Sequence, residues 1–94
     1  MKPALFRRDD VPHRRWVAFA YDYGDKRQIG FVTYAALELI SERAGSPAEL
    51  FDAEAGKVLS CAVTKVERGS LTPEGHALLV PDDFGDEPLS ANAD

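Results

Sequence analysis

The chain has 94 residues, of which 45% are apolar and 29% charged, and its formal net charge is −5. This length fits one small domain of modest stability, and no apolar run approaches the ~18 residues that a transmembrane helix needs. The residues after Met1 lack the apolar segment of a secretory signal. A single cysteine cannot form an internal disulfide. We therefore predict a reducing compartment, the cytoplasm.

Charge is concentrated towards the two ends of the chain. Residues 1–15 carry five basic and two acidic side chains, whereas residues 81–94 carry five acidic and no basic ones. Polar, highly charged termini are typical of segments that do not fold. We predict a flexible basic N-terminal arm over residues 1–12, a single α+β domain over residues 13–84, and a disordered acidic tail over residues 85–94.

The first predicted elements are two strands joined by a tight turn. Residues 16–23 are mostly aromatic, β-branched or alanine, and both sets of alternating positions are apolar. Gly24-Asp25 has the composition of a turn, because glycine accepts a positive φ and aspartate bonds nearby amides. The next strand should begin at Lys26 or Arg27 and end at Val32. The pair is a predicted antiparallel hairpin.

Two helices are predicted after the hairpin. Thr33 is a favourable N-cap, so the first helix should run from Tyr34 to about Arg43 and end at Gly45. Ser46-Pro47-Ala48-Glu49 combines a capping box with proline at the first helical position. This pattern predicts the start of a second helix.

The second helix should extend to about Arg68, because apolar residues recur on one face of it. Gly56 is a weak helix former inside this segment and marks a candidate kink. His76 to Val80 then forms a short predicted strand. The order β-β-α-α-β predicts a two-layer α+β domain, with a small antiparallel or mixed sheet and both helices on one face.

Four stretches have residue types and an order that resemble a known family. They are Trp16-Val17-Ala18-Phe19, Thr33-Tyr34-Ala35-Ala36-Leu37-Glu38, Glu49-Leu50-Phe51-Asp52 and Gly75-His76-Ala77-Leu78-Leu79-Val80. Over most of residues 11 to 84 the chain resembles the uncharacterised bacterial family called domain of unknown function 1488. The resemblance implies a compact α+β fold and a cytoplasmic bacterial origin. It implies no activity, because no catalytic or binding residues are established for the family.

Sulfur and imidazole side chains do not form a recognisable site. Lys57 and Lys65 lie one turn on either side of Cys61 and would lower its pKa a little, but a small half-buried side chain is the simpler interpretation. His13 and His76 lack the ligand spacing of a zinc site. We predict a protein that is not an enzyme and has no cofactor and no metal.

Carboxylate pairs occur at Asp9-Asp10, at Asp22 and Asp25, and at Asp82-Asp83. General acid–base catalysis needs one carboxyl group whose pKa is raised by burial or by its neighbour. All three pairs fall in predicted turns or termini, where water favours the ionised form. The polar hairpin tip is therefore interpreted as a turn and not as a working site.

Aromatic residues are concentrated around the hairpin, at Trp16, Phe19, Tyr21, Tyr23 and Tyr34. Two helices on one face of the sheet would leave its other face uncovered, and exposed aromatic patches mark partner sites. We predict that these residues form an interaction surface. The resulting function is a small protein-interaction module of the bacterial cytoplasm, with a protein partner or a homodimer that covers the second sheet face.

Four arginines of the N-terminal region support an alternative function. Arg7, Arg8, Arg14 and Arg15 could bind phosphate groups as an anion-binding arm, and such binding would weaken with salt. The alternative is a nucleic-acid-associated accessory protein. The acidic total charge argues against this alternative, because nucleic-acid-binding domains usually carry a basic total or a basic face.

Overall fold

The computed structural model describes residues 2–84. Within this range the chain forms four strands, three α-helices and two short 3₁₀ turns. The elements are β1 Ala4–Val11, a turn at Pro12–Arg14, β2 Trp16–Tyr23, β3 Lys26–Thr33, α1 Tyr34–Ile40, α2 Pro47–Ala53, α3 Ala55–Arg68, β4 Ala77–Leu79, and a turn at Pro81–Asp83. The predicted acidic tail, residues 85–94, lies outside the described residues.

The four strands form one open mixed sheet in the order β1-β2-β3-β4. β1, β2 and β3 pair antiparallel, and β4 pairs parallel to β3. Parallel neighbours need a long crossover, which α1, α2 and α3 supply here. The predicted α+β class with a mixed sheet is confirmed.

The three helices pack on a single face of the sheet. Alternate residues of β2 and β3 are buried there together with the apolar sides of the helices. The core consists of Val17, Phe19, Tyr21, Val32, Ala36, Leu37, Leu50, Phe51, Val58, Leu59, Ala62, Ala77 and Leu79. This packing covers one face of the sheet and leaves the residues of the other parity outside the core.

The predicted flexible arm over residues 1–12 is wrong, because Ala4–Val11 forms the edge strand β1. β1 runs antiparallel to β2, with Arg8 opposite Phe19 and a bulge between Leu5 and Arg7. Its sequence is charged in the middle and most of its side chains are exposed, which hides the alternation of a strand. Charges and bulges are typical of sheet edges, where they discourage further strand pairing.

The hairpin and the caps confirm the local predictions. Tyr23 pairs with Lys26 across a turn in which Gly24 has a φ of 69°. The Thr33 hydroxyl accepts a hydrogen bond from the amide of Ala36 at 3.1 Å. Ser46 and Glu49 exchange the two hydrogen bonds of a capping box.

Both predicted helices are shorter than expected. α1 ends at Ile40, where Ser41 takes an extended conformation, so Gly45 does not end a helix. The predicted second helix is divided at Glu54, whose φ of −114° and ψ of 20° separate α2 from α3. The break therefore lies two residues before Gly56, the predicted kink. It allows Phe51 on α2 and Val58 on α3 to reach the same core.

Candidate functional site

The sheet face opposite the helices carries a continuous set of apolar side chains. Residues of β2 and β3 that are not in the core share this face, and their cross-strand neighbours project to the same side. We call this surface the open sheet face. It consists of Phe6 on β1, Trp16, Ala18 and Ala20 on β2, Ile29 and Phe31 on β3, and Leu78 on β4.

One end of the open sheet face is an aromatic cluster. The rings of Trp16 and Phe31 stack with their centroids 4.5 Å apart. The Arg14 guanidinium lies 5.6 Å from the centre of the Trp16 ring, and His76 meets Phe31 edge-on at 5.4 Å. Trp16 therefore packs between Phe31 and Arg14 at this end of the face.

At the other end, Phe6 projects from β1 with 55% of its surface exposed. The Arg27 guanidinium stacks on its ring at 3.7 Å and also binds the carboxylate of Asp22 at 2.6 Å. Asp22 and Arg27 are cross-strand partners beside the hairpin turn. Asp22 and Arg27 of the hairpin tip therefore bind each other, and Arg27 packs on Phe6.

A shallow hollow of about 270 Å³ lies between the two ends. Ala18 and Ala20 form its floor, because their side chains are the smallest on the face. Ile29 stands beside it with 41% of its surface exposed, directly across from Ala20 in the strand register. The β1 side is bordered by Arg7 and Asp9, which form an ion pair at 3.0 Å.

The structure places only one of the five predicted surface aromatics on the open sheet face, namely Trp16. The prediction is wrong for Phe19 and Tyr21, which are 2% and 0% exposed and belong to the core. Tyr23 donates a hydrogen bond to Glu67 at 2.7 Å, and Tyr34 donates one to Asp10. These hydrogen bonds raise the pKa of both phenols.

Sequence reasoning missed all four large apolar residues of the open sheet face other than Trp16. Ile29 and Phe31 share the parity that places Trp16 outward once the hairpin register is known, and Leu78 lies beside Phe31. Phe6 was hidden because β1 was interpreted as an arm. The register of the hairpin was the signal that could have found Ile29 and Phe31.

The four arginines of the proposed anion-binding arm all contact other side chains of this chain. Arg8 makes two hydrogen bonds to Asp52, at 2.9 and 2.7 Å, which raise the pKa of the arginine and lower that of the aspartate. Arg15 lies 6.0 Å from the ring of Tyr34. Arg7 binds Asp9 and Arg14 covers Trp16, as described above. Phosphate binding by these arginines stays a prediction.

Cys61 and His76 lie on different sides of the sheet. Cys61 is on α3, where its thiol lies 4.0 Å from the carbonyl oxygen of Asp83, whereas His76 packs on the open sheet face. Over residues 2–84, no three histidine, cysteine or acidic residues are placed to hold a metal ion together. Within the same residues, no helix is long and apolar enough to cross a membrane.

Comparison with known proteins gives a likeness of fold. No family model matches the sequence, and no curated protein matches it. A solved structure does: the crystal structure of a protein of unknown function from the DUF1488 family of Shewanella loihica PV-4. It superposes with a TM-score of 0.65 at 11% sequence identity, over 83% of this chain and 91% of that chain. The fold expected from the sequence resemblance is therefore confirmed.

Proposed function

We propose that this chain is a small non-enzymatic protein-interaction module of a bacterial cytoplasm, and that it binds another protein chain through the open sheet face. One observation carries the proposal. β2 is apolar on both sides, yet the helices cover only the side that bears Val17, Phe19 and Tyr21. Burial of the second apolar side would add hydrophobic stabilisation, which drives most protein association.

The composition of the open sheet face favours a protein partner. Aromatic residues are enriched and charged residues depleted in the centres of protein interfaces. Here Trp16 and Phe31 form the aromatic end, Phe6 and Ile29 project, and the bordering carboxylates are bound in ion pairs. The aromatic side chains are already oriented by neighbours, so docking would order few of them and cost little side-chain entropy.

The separation of Cys61 from His76 supports a non-enzymatic role. Nucleophilic and acid–base catalysis need side chains within hydrogen-bond reach of each other. Cys61 contacts the backbone at Asp83 on the helix side, and His76 contacts Phe31 on the sheet side. The pKa of Asp52 is lowered by Arg8, which is opposite to the change that a general acid requires.

Site-specific photo-crosslinking in living cells tests the proposal. A photoreactive phenylalanine analogue replaces Ile29 on the open sheet face, and in a matched control it replaces Leu39, which is 53% exposed on α1. We expect a discrete protein adduct from position 29 and much less of it from position 39. Equal yields from the two positions, or none from position 29, would contradict the proposal.

A further inference from the structure

We propose that the partner of the open sheet face is a second copy of this chain, packed face to face about a two-fold axis. This inference rests on the proposed function and names its partner. Three features of the described residues support it: the charge balance of the face, its size, and the position of a projecting side chain next to a hollow. Each feature is needed for a surface that contacts itself.

The acidic groups at the border of the open sheet face are paired with bases. Arg7 is bound to Asp9, and Arg27 is bound to Asp22, so each acidic group has a basic partner on the same face. Like charges that meet across an interface are unfavourable. Apart from Arg14 beside Trp16, the charged groups of the face are thus neutralised in pairs, so two copies can meet there with little repulsion.

The size of the face fits a weak dimer. Three strands of eight residues and the three-residue β4, at about 3.3 Å per residue and about 4.8 Å between strands, cover roughly 430 Å². Two such faces together would bury about 850 Å², less than the ~1,200 Å² of stable interfaces and in the range of weak, transient ones. The dimer is therefore expected to be reversible and to dissociate in the micromolar range.

Ile29 and the hollow beside it are self-complementary. A two-fold contact requires that each copy present both the projecting group and its recess, close to the axis. Ala20, on the floor of the hollow, is the direct cross-strand neighbour of Ile29, so recess and projection are adjacent. The hollow of about 270 Å³ is large enough for the isoleucine of the second copy. Each Ile29 would then seat on the alanine floor of the other chain.

Sedimentation equilibrium of the purified chain tests this packing with two single variants and their combination. Ala20→Leu fills the hollow, and Ile29→Ala removes the projecting group. We expect each to weaken dimerisation at least about tenfold, a common result at well-packed interface positions. The double variant exchanges projection and recess between adjacent strands. The double variant should therefore regain much of the dimerisation affinity of the wild type. If the two substitutions acted independently, their tenfold losses would multiply to about a hundredfold loss.

The Ala20→Leu variant distinguishes specific packing from nonspecific hydrophobic association, because it adds apolar surface to the face. If the chains associate nonspecifically through apolar surface, leucine at position 20 will strengthen dimerisation, and that result would overturn the proposal. Leu39→Ala on α1 is the matched control and should dimerise like the wild type. Thermal unfolding of each variant verifies that the monomer still folds, since Ala20 and Ile29 lie outside the core.

The crosslinking experiment distinguishes this inference from the proposed function. An adduct from position 29 with twice the mass of the chain supports both the interaction module and the second copy as its partner. An adduct with a different protein, together with a purified chain that stays monomeric at high micromolar concentration, overturns the second copy as the partner and leaves the interaction module in place. If position 29 forms no adduct and the chain is monomeric, both are wrong.

Discussion

Replacement of Gly30 by alanine is expected to lower the free energy of unfolding by about 1–3 kcal/mol, the usual cost of an extra methyl group in a full core. Gly30 lies on β3 directly opposite Phe19 on β2, and the Phe19 ring covers it. A Cβ atom at position 30 would lie 2.5 Å from Cζ of that ring. Glycine within a strand often marks such a close approach.

The Phe19 ring has little freedom to move away from an alanine at position 30. Its centroid is 5.4 Å from that of Phe51 and 5.7 Å from that of Tyr21, and only 2% of the residue is exposed. Urea unfolding measures the effect. Gly56→Ala is the matched control, because a Cβ atom at position 56 would have no neighbouring residue's atom within 4 Å among the described residues. It should stabilise the chain by about 0.4–1 kcal/mol, through a less flexible unfolded state. A Gly30→Ala protein as stable as the wild type would contradict the packing.

Ionisation of Tyr21 is expected to lower the free energy of unfolding by about 2–3 kcal/mol between pH 10 and pH 12. Each unit of difference between the folded and unfolded pKa contributes about 1.4 kcal/mol. Burial raises the pKa of Tyr21 to about 12, whereas a tyrosine in an unfolded chain has a pKa of about 10. Between these values the unfolded chain releases the proton and the folded chain retains it. The contribution is therefore complete below pH 10 and lost as the pH rises towards 12.

Tyr21→Phe isolates this contribution. The Tyr21 hydroxyl is buried and has no hydrogen-bond partner among residues 2–84. Its removal should leave the chain as stable at pH 8 or more stable by about 1 kcal/mol, because a buried unsatisfied hydroxyl is unfavourable. Unfolding midpoints from pH 8 to 12 should then decline less than in the wild type. Tyr23→Phe, which removes only the exposed hydrogen bond to Glu67, is the comparison variant. Identical pH profiles for wild type and Tyr21→Phe would contradict the assignment.

Local sequence signals predicted the elements whose formation depends on a few adjacent residues. Thr33 and the Ser46-Glu49 pair make the expected caps, because capping uses side chains within three residues of the helix start. Gly24 makes the expected hairpin turn for the same reason. The α+β order followed from these elements and from the short final strand.

Features that depend on distant contacts were not predictable in the same way. β1 is stabilised by pairing with β2 and by the Arg8–Asp52 ion pair, whose partners are 44 positions apart in the sequence. β2 is apolar on both sides, so its alternation could not show whether Tyr21 or Trp16 faces the helices. The division of the second helix at Glu54 has no glycine or proline at the break, and it follows from packing of Phe51 and Val58 on one sheet face.

Fluorescence quenching of Trp16 tests the central claim most directly, because it is the single tryptophan of the chain and lies on the open sheet face. Acrylamide quenching of the purified wild type is measured from low to high micromolar concentration, with Ala20→Leu as the control. If two copies cover this face, quenching of the wild type will decrease as the concentration rises, and quenching of Ala20→Leu will change much less. Quenching of the wild type that stays the same at every concentration would contradict the account.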